Sequence, residues 1–267
     1  MNVKMFFNGF EILIFDELQS TNDFLRDRIS AGADIIDTVV VARHQTAGKG
    51  MGENHWESQH GKNLLFSIAL NVSFLKAEEQ FKISQAVAVA ILNVISTKLL
   101  TPSNSSNSSN SSNSSNSFIK WPNDIYINSR KLAGMLIQNT ISGMLMQTSI
   151  IGIGLNVNQM KFSDDVPNPV SLKMLAGIDF DLDLLLKELI VNIKSAVESL
   201  RTESGKVSVD EMYRNNLFRF GRWADYEIDN EIKTLIINGY DKYGRLCLCD
   251  KNGHDYLCDI KEIRFIV

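Results

Sequence analysis

From Ser103 to Ser117 the chain contains only serine and asparagine, built on a repeating Asn-Ser-Ser triplet. Such a stretch has no apolar group to bury, so nothing offsets the entropy of ordering it, and it is expected to form a flexible loop. The core must then be continuous across the interruption. Before it, Gln80–Leu100 carries Ile83, Val87, Ile91 and Ile95 on one stripe of a helix. After it, Ile119–Ile127 reads as a strand broken at Pro122. The triplets contain Asn-x-Ser sequons, but nothing else signals secretion, so they are not read as glycosylation sites. The segment is read as a tolerated insertion between helix and strand.

Elsewhere the pattern alternates. Phe10–Phe15 predicts a strand, and Ser20–Ala31 a helix opened by a Ser-Thr-Asn cap. Thr38–Arg43 is a β-branched strand, Asn63–Leu70 another, and Ser149–Val157 a third with Gly152 and Gly154 embedded. Asp183–Leu200 and Val209–Asn216 predict helices. From about Phe218 the chain changes to short strands with tight turns: Trp223–Ile228, Glu231–Tyr240, Gly244–Cys249 and Tyr256–Ile260. The fold class is therefore α+β. Residues 1–217 are expected to form a mixed or antiparallel sheet with helices covering one face, and residues 218–267 a small all-β barrel.

Composition sets limits on function. The chain has 267 residues, 44% hydrophobic and 22% charged, as a globular protein would. Its net charge of −4 disfavours a broad polyanion-binding surface. Glu11, Asp16 and Glu17 interrupt the apolar start, no small-residue cleavage site follows, and the run Val87–Leu92 is too short to span a bilayer. No membrane association and a cytoplasmic location are expected. Cys247, Cys249, His254 and Cys258 invite a zinc reading, but paired C-x₂₋₄-C spacing is absent. No structural metal is expected. Packing is the simpler account, with Cys247 and Cys249 as buried thiols in a strand and Asp250-Lys251-Asn252-Gly253 as a hairpin turn before Cys258.

Three segments carry chemistry. Gly48-Lys49-Gly50-Met51-Gly52 follows a strand, yet matches neither the dinucleotide fingerprint nor a Walker A loop. It is either a simple turn or a mobile loop whose amides and Lys49 close over an anion. Lys120-Trp121-Pro122-Asn123-Asp124, with Lys131 seven residues on in Arg130-Lys131-Leu132-Ala133-Gly134, predicts a hairpin with polar groups near its base. Asn and Asp after proline also serve plainly as turn formers. In Gly152-Ile153-Gly154-Leu155-Asn156, glycine inside a strand marks a bulge or a close backbone approach, with room for a ligand beside Asn156.

Taken in order, these segments resemble the biotin–protein ligase family. The matching residues are Ser20-Thr21-Asn22, Gln45-Thr46-Ala47-Gly48-Lys49-Gly50 with Trp56, Lys120–Asp124 with Arg130–Gly134, and Gly154-Leu155-Asn156. The resemblance extends over nearly the whole chain, and the carboxy-terminal region is similar to the family's SH3-like domain. It implies a class II synthetase-like catalytic domain that forms biotinyl-AMP from biotin and ATP. Biotin would then pass to a lysine of a biotin carboxyl carrier protein or of a biotin-dependent carboxylase or decarboxylase subunit.

The resemblance also implies roles. Ser20, Thr21, Asn22 and Gln45 would bind the polar end of biotin's rings. Gly48, Lys49, Gly50 and Met51, with Trp56 and Gly134, would enclose biotin and its adenylate. Lys131 would be the catalytic residue, holding the biotin carboxylate against the α-phosphate. Lys120, Asn123, Asp124 and Asn156 would place ATP and Mg²⁺, the carboxylate of Asp124 suiting a hard cation. Trp56 and Trp121 are as readily core residues.

Two departures carry expectations. Only 19 residues precede Ser20, so the helix-turn-helix domain of some members, and specific DNA binding with it, is expected to be absent. Met51 stands where several bacterial members have arginine, which implies weaker retention of the adenylate. A lipoate ligase or octanoyltransferase shares the superfold, and a non-catalytic biotin or nucleotide sensor shares the pocket. The acceptor protein and the oligomeric state, a homodimer among the options, stay open.

Overall fold

The computed structural model describes residues 3–52, 54–100 and 116–266. Most of the Ser/Asn segment thus lies outside the described residues. Its last residue, Ser117, does not belong to a loop but opens a strand.

The first sheet is built from β1 (Val3–Phe7), β2 (Phe10–Leu18), β3 (Thr38–Gln45), β4 (Leu64–Asn71), β5 (Ser117–Lys120), β6 (Asp124–Ile127), β7 (Arg130–Ser142) and β8 (Leu145–Leu155). Their order is β1-β2-β3-β4-β8-β7-β6-β5. Only β2 and β3 run parallel, because α1 (Thr21–Ser30) crosses between them; hairpins or longer antiparallel returns make the other pairs. The sheet is mixed, as expected.

Helices cover both of its faces, not one. α2 (Phe81–Leu100) lies on the first face with Ile83, Val87, Ile91 and Ile95 fully buried against Val39, Phe66, Ile68 and Ile151. Each such side chain contributes about 1.5–3 kcal/mol by leaving water. After a short α3 (Leu172–Ala176), α4 (Leu182–Ser199) buries Leu185, Leu189, Ile193 and Val197 beside α2. α1 sits on the opposite face, where Leu25 meets Val40, Ala69 and Ile150. The period of two along each strand puts Val39 and Val40 on different faces, so continuous apolar runs such as Thr38-Val39-Val40-Val41 need cover on both. Among the described residues one helical stretch, Ala77–Leu99 including its 3₁₀ turn, is long and apolar enough to cross a membrane, and 61% of its most apolar 18-residue window is buried inside the fold, as in a core helix.

α5 (Glu203–Asn215) leads into a second, five-stranded antiparallel sheet: β9 (Trp223–Ile228), β10 (Glu231–Tyr240), β11 (Leu246–Cys249), β12 (Asp255–Cys258) and β13 (Ile263–Phe265), in the order β12-β11-β10-β9-β13. On β11 the leucines face inward. Leu246 and Leu248 are buried while Cys247 and Cys249 are half-buried, so the expected buried thiols turn out to lie on the outer face, and only Cys258 is buried. The Asp250–Gly253 turn forms as expected, with Asp250 Oδ1 accepting from the N–H groups of Asn252 and His254 at 2.8 and 2.9 Å.

Candidate active site

A cavity of about 990 Å³ opens on the α1 face of the large sheet, where β7 and β8 carry glycine in place of side chains. Gly152 and Gly154 pair with Leu136 and Gly134 across the β7–β8 rungs. A Cβ on Gly152 would stand 2.2 Å from Asn22 Oδ1, and one on Gly154 2.4 Å from the Trp56 ring. The missing side chains let the first turn of α1 and the Trp56 loop pack directly on the strand backbone.

One end of the cavity is lined by neutral polar groups. Ser20 caps α1, its hydroxyl accepting from Asp23 N–H at 3.3 Å. That cap turns Thr21 and Asn22 toward β3 and β4. Gln45 Oε1 accepts from the N–H and the hydroxyl of Thr21, at 2.8 and 3.1 Å. The Ser67 hydroxyl lies 2.7 Å from Thr21 Oγ1 and 2.5 Å from Asn22 Oδ1. Asn22 Nδ2 donates to the carbonyl of Leu136 at 3.0 Å and to Gln138 Oε1 at 3.4 Å. The Asn22 amide is therefore occupied on both ends by the protein itself.

The glycine segment is a small hairpin. Trp56 N–H donates to the carbonyl of Gly48 at 3.0 Å, and Gly50 N–H to that of Asn54 at 2.7 Å. Lys49, Gly50, Met51 and Trp56 line the cavity, but Gly48 does not: a Cβ there would meet the Trp56 carbonyl at 2.8 Å, so this glycine serves the hairpin's closure. Lys49 Nζ is 2.7 Å from Asp23 Oδ2, a partner that the sequence reading missed although it directly follows the Ser-Thr-Asn cap.

Charge gathers at the other end. β5 stops at Lys120 and β6 starts at Asp124, so Trp121, Pro122 and Asn123 make the turn. Asp124 pairs in register with Gly134, and Lys131 Nζ reaches Asp124 Oδ1 at 2.8 Å while standing 5.6 Å from the Trp56 ring centre. Asn123 Nδ2 donates to the Met135 carbonyl, and Met135 N–H returns to the Asn123 carbonyl at 2.9 Å. Lys120 Nζ lies 4.8 and 5.1 Å from the ring centres of Tyr126 and Phe265. Burial among these rings lowers its pKa below the ordinary lysine value. Asn156 is buried at the cavity wall, and its Oδ1 has no hydrogen bond among the described residues.

Apart from Gly48, every residue assigned a role from the sequence lines this one cavity. Trp121 does so while almost wholly buried, and Trp56 is a wall, half-buried against Gly134 and Gly154. The sequence reading missed the rim supplied by the second sheet, Lys261, Ile263, Arg264 and Phe265, because no local spacing marks them. Chemically, the arrangement offers hydrogen-bonding groups for a neutral polar head at one end. At the other, lysines and a carboxylate can meet anions and a hard cation.

A model of the Biotin/lipoate A/B protein ligase family matches residues 14–156. A biotin–[acetyl-CoA-carboxylase] ligase of Mycobacterium tuberculosis is 26% identical over 86% of this chain and 79% of its own length. The bifunctional ligase/repressor BirA of Escherichia coli is 28% identical over 90% of this chain and 70% of its own length. Among solved structures, a biotin protein ligase from Aquifex aeolicus in complex with biotin and ATP superposes with a TM-score of 0.73 at 21% identity, covering 96% of this chain and 99% of that one. That likeness establishes the fold.

Proposed function

Because the chain belongs to the biotin/lipoate A/B protein ligase family, we propose that it is an ATP-dependent biotin–protein ligase. The observation that carries this reading is the single cavity with Thr21, Asn22 and Gln45 at one end and the Lys131–Asp124 pair at the other. Biotin has a neutral polar ring system and a carboxylate joined by an apolar chain, and Trp56 and the bare backbone of Gly134, Gly152 and Gly154 form a wall for that chain.

In the first step the biotin carboxylate attacks the α-phosphorus of ATP, a P–O bond forms, and pyrophosphate leaves. Lys131 stands between the two anions, reducing their repulsion and stabilising charge on phosphorus in the transition state. Asp124, Asn123, Lys120 and Asn156 hold the nucleotide end. Mg²⁺ accompanies ATP as its counterion, and a site of this type needs only one or two carboxylates beside the phosphates, which Asp124 can supply. In the second step the ε-amine of an acceptor lysine attacks the acyl carbon and AMP departs. Lys49, Gly50 and Met51 cover the adenylate between the steps. Most of the acceleration comes from positioning. The acceptor is a biotin carboxyl carrier protein or domain. Residues 1–217 form the catalytic domain, with residues 218–267 as the accessory β domain.

Purified protein is expected to catalyse biotin-dependent ATP–pyrophosphate exchange and to label a biotin carrier domain. Lipoate in place of biotin is expected to give neither. Exchange driven by lipoate and not by biotin would overturn the reading.

A further inference from the structure

The four successive residues Trp121–Asp124 are held from three sides: by the second sheet, by α5 and by β7. Trp121 Nε1 donates to the carbonyl of Gly244, in the β10–β11 turn of the second sheet, at 2.7 Å. The hydroxyl of Tyr213 on α5 donates to the carbonyl of Pro122 at 3.2 Å. Asn123 is clasped by Met135 on β7, and Asp124 by Lys131. The last two contacts belong to the site already described. The first two come from outside it.

Tyr213 is fully buried, with its ring against Phe81 and Tyr240, at centroid distances of 5.7 and 5.4 Å. Tyr240 lies on β10, and its hydroxyl donates to the Asp210 carbonyl on α5 at 3.3 Å. Gly244 is seated on the same Phe81 ring, where a Cβ would meet ring carbon at 2.4 Å. Phe81, Tyr213 and Tyr240 thus form one aromatic block between α2, α5 and the second sheet, and Trp121 is tied to it through Gly244. Two polar groups at its edge, the Tyr213 hydroxyl and the Gly244 carbonyl, both hold the turn that presents Asn123 and Asp124. A fully buried hydroxyl needs a partner, and this one selects the Pro122 carbonyl, whose peptide plane sets the direction of Asn123.

We propose that Tyr213 is a positioning residue for the adenylation step, fixing the Pro122–Asn123 peptide so that Asn123 and Asp124 meet the nucleotide, with Trp121 and Gly244 carrying the same constraint from the second sheet. This rests on the ligase reading above. The polar residues at the other end, Thr21, Asn22 and Gln45, are held by one another and by Ser67, Leu136 and Gln138 on β4 and β7, and none of those hydrogen bonds involves the block.

Tyr213→Phe removes one hydroxyl and leaves the ring in place. Its kcat/KM for ATP in biotin-dependent pyrophosphate exchange is expected to fall about tenfold, the worth of one buried hydrogen bond. Biotin affinity measured calorimetrically without ATP is expected to stay unchanged. A purely structural role would instead weaken both together. In an Asp124→Asn background the same substitution is expected to add little, because both changes act on one turn. Wild-type exchange, run alongside, separates the two claims. If wild-type protein shows no biotin-dependent exchange, the ligase reading fails. If it is active and Tyr213→Phe matches it, or the two substitutions multiply, this inference fails. Should Tyr213→Phe not fold, Trp121→Phe, which deletes the indole N–H bonded to Gly244, must show the same split or the proposal falls.

Discussion

Lys131 Nζ lies 2.8 Å from Asp124 Oδ1 directly over Gly134, where a Cβ would stand 3.2 Å from both that carboxylate oxygen and Lys131 Cε. A methyl group there would press on both partners and on the Trp56 ring, each of which would have to give by a few tenths of an ångström. Both partners are partly exposed, 31% for Lys131 and 18% for Asp124, so the bond adds little to stability. In the proposed mechanism it holds a lysine ready where two anions are to meet.

Replacing Lys131 by alanine is therefore expected to lower pyrophosphate exchange roughly 10²–10³-fold, the loss seen when one preorganised transition-state contact is removed. Stability is expected to change by about 1 kcal/mol or less. Exchange kinetics and a urea titration check the two halves separately. Wild-type exchange in the variant would remove Lys131 from the mechanism.

Gly152 offers a test of the polar end. A methyl group added there would meet Asn22 Oδ1 at 2.2 Å, and Asn22 cannot retreat because Leu136, Gln138 and Ser67 hold its amide. Gly152→Ala is expected to push α1's first turn outward and weaken biotin binding about tenfold or more, given the 1–3 kcal/mol typical of overpacking. Calorimetry with biotin alone reads this directly. Unchanged affinity would show that the first turn of α1 does not contact biotin.

Lys120 makes a pH-dependent prediction. Burial lowers its pKa, the Asp124 carboxylate opposes this, and Lys131 and Arg219 reinforce it. The folded protein thus binds this proton less tightly than the unfolded chain. The resulting deficit is fully present below the folded pKa and is relieved as pH rises from there toward the unfolded value. Lys120→Met is expected to be more stable than wild type at neutral pH, with the difference shrinking toward about pH 10. Its KM for ATP is expected to rise about tenfold through loss of one charge-assisted contact. Urea midpoints across that range test the linkage, and a constant difference would contradict it.

Local pattern carried much of this in advance. The stripe Ile83–Val87–Ile91–Ile95 is buried as its spacing requires, whereas Lys120–Gly134, expected as one hairpin, folds as two: the chain reverses at Trp121–Asn123 from β5 into β6 and again from β6 into β7. Other features were present but unused. Asn8-Gly9, with φ of 50° and 84°, is a hairpin turn that makes β1 the edge strand beside β2. Helix α5 begins at Glu203, earlier than its apolar positions suggest, because Thr202 caps it by accepting from Gly205 N–H and because Gly205 has no Cβ to strike the Ser199 carbonyl. What no local pattern could reveal is contact at long range. Tyr213 meets Pro122, Trp121 meets Gly244, and the second sheet reaches the cavity rim, all through packing that brings distant segments together.

Under the ligase reading, Met51 is expected to set how long the adenylate stays. It lines the cavity within a hairpin fastened by the Gly48–Trp56 and Gly50–Asn54 bonds, so the backbone presenting it is already formed. Methionine offers packing and a weakly accepting sulfur, whereas an arginine at this place could grip a phosphate through two parallel hydrogen bonds. Lys49, two residues before, is a charge held 2.7 Å away by Asp23, and engaging the phosphate would mean giving up that partner. The biotinyl-adenylate is accordingly expected to leave this protein readily and to label bystander lysines at a low rate. Met51→Arg is expected to slow its release about tenfold or more, in line with a charge-assisted contact of 1.5–3 kcal/mol. Stopped-flow release of the adenylate from both forms measures this. Equal rates would mean that the hairpin closes through Lys49 instead, and Asp23→Asn, which frees that lysine, would then be the variant that slows release.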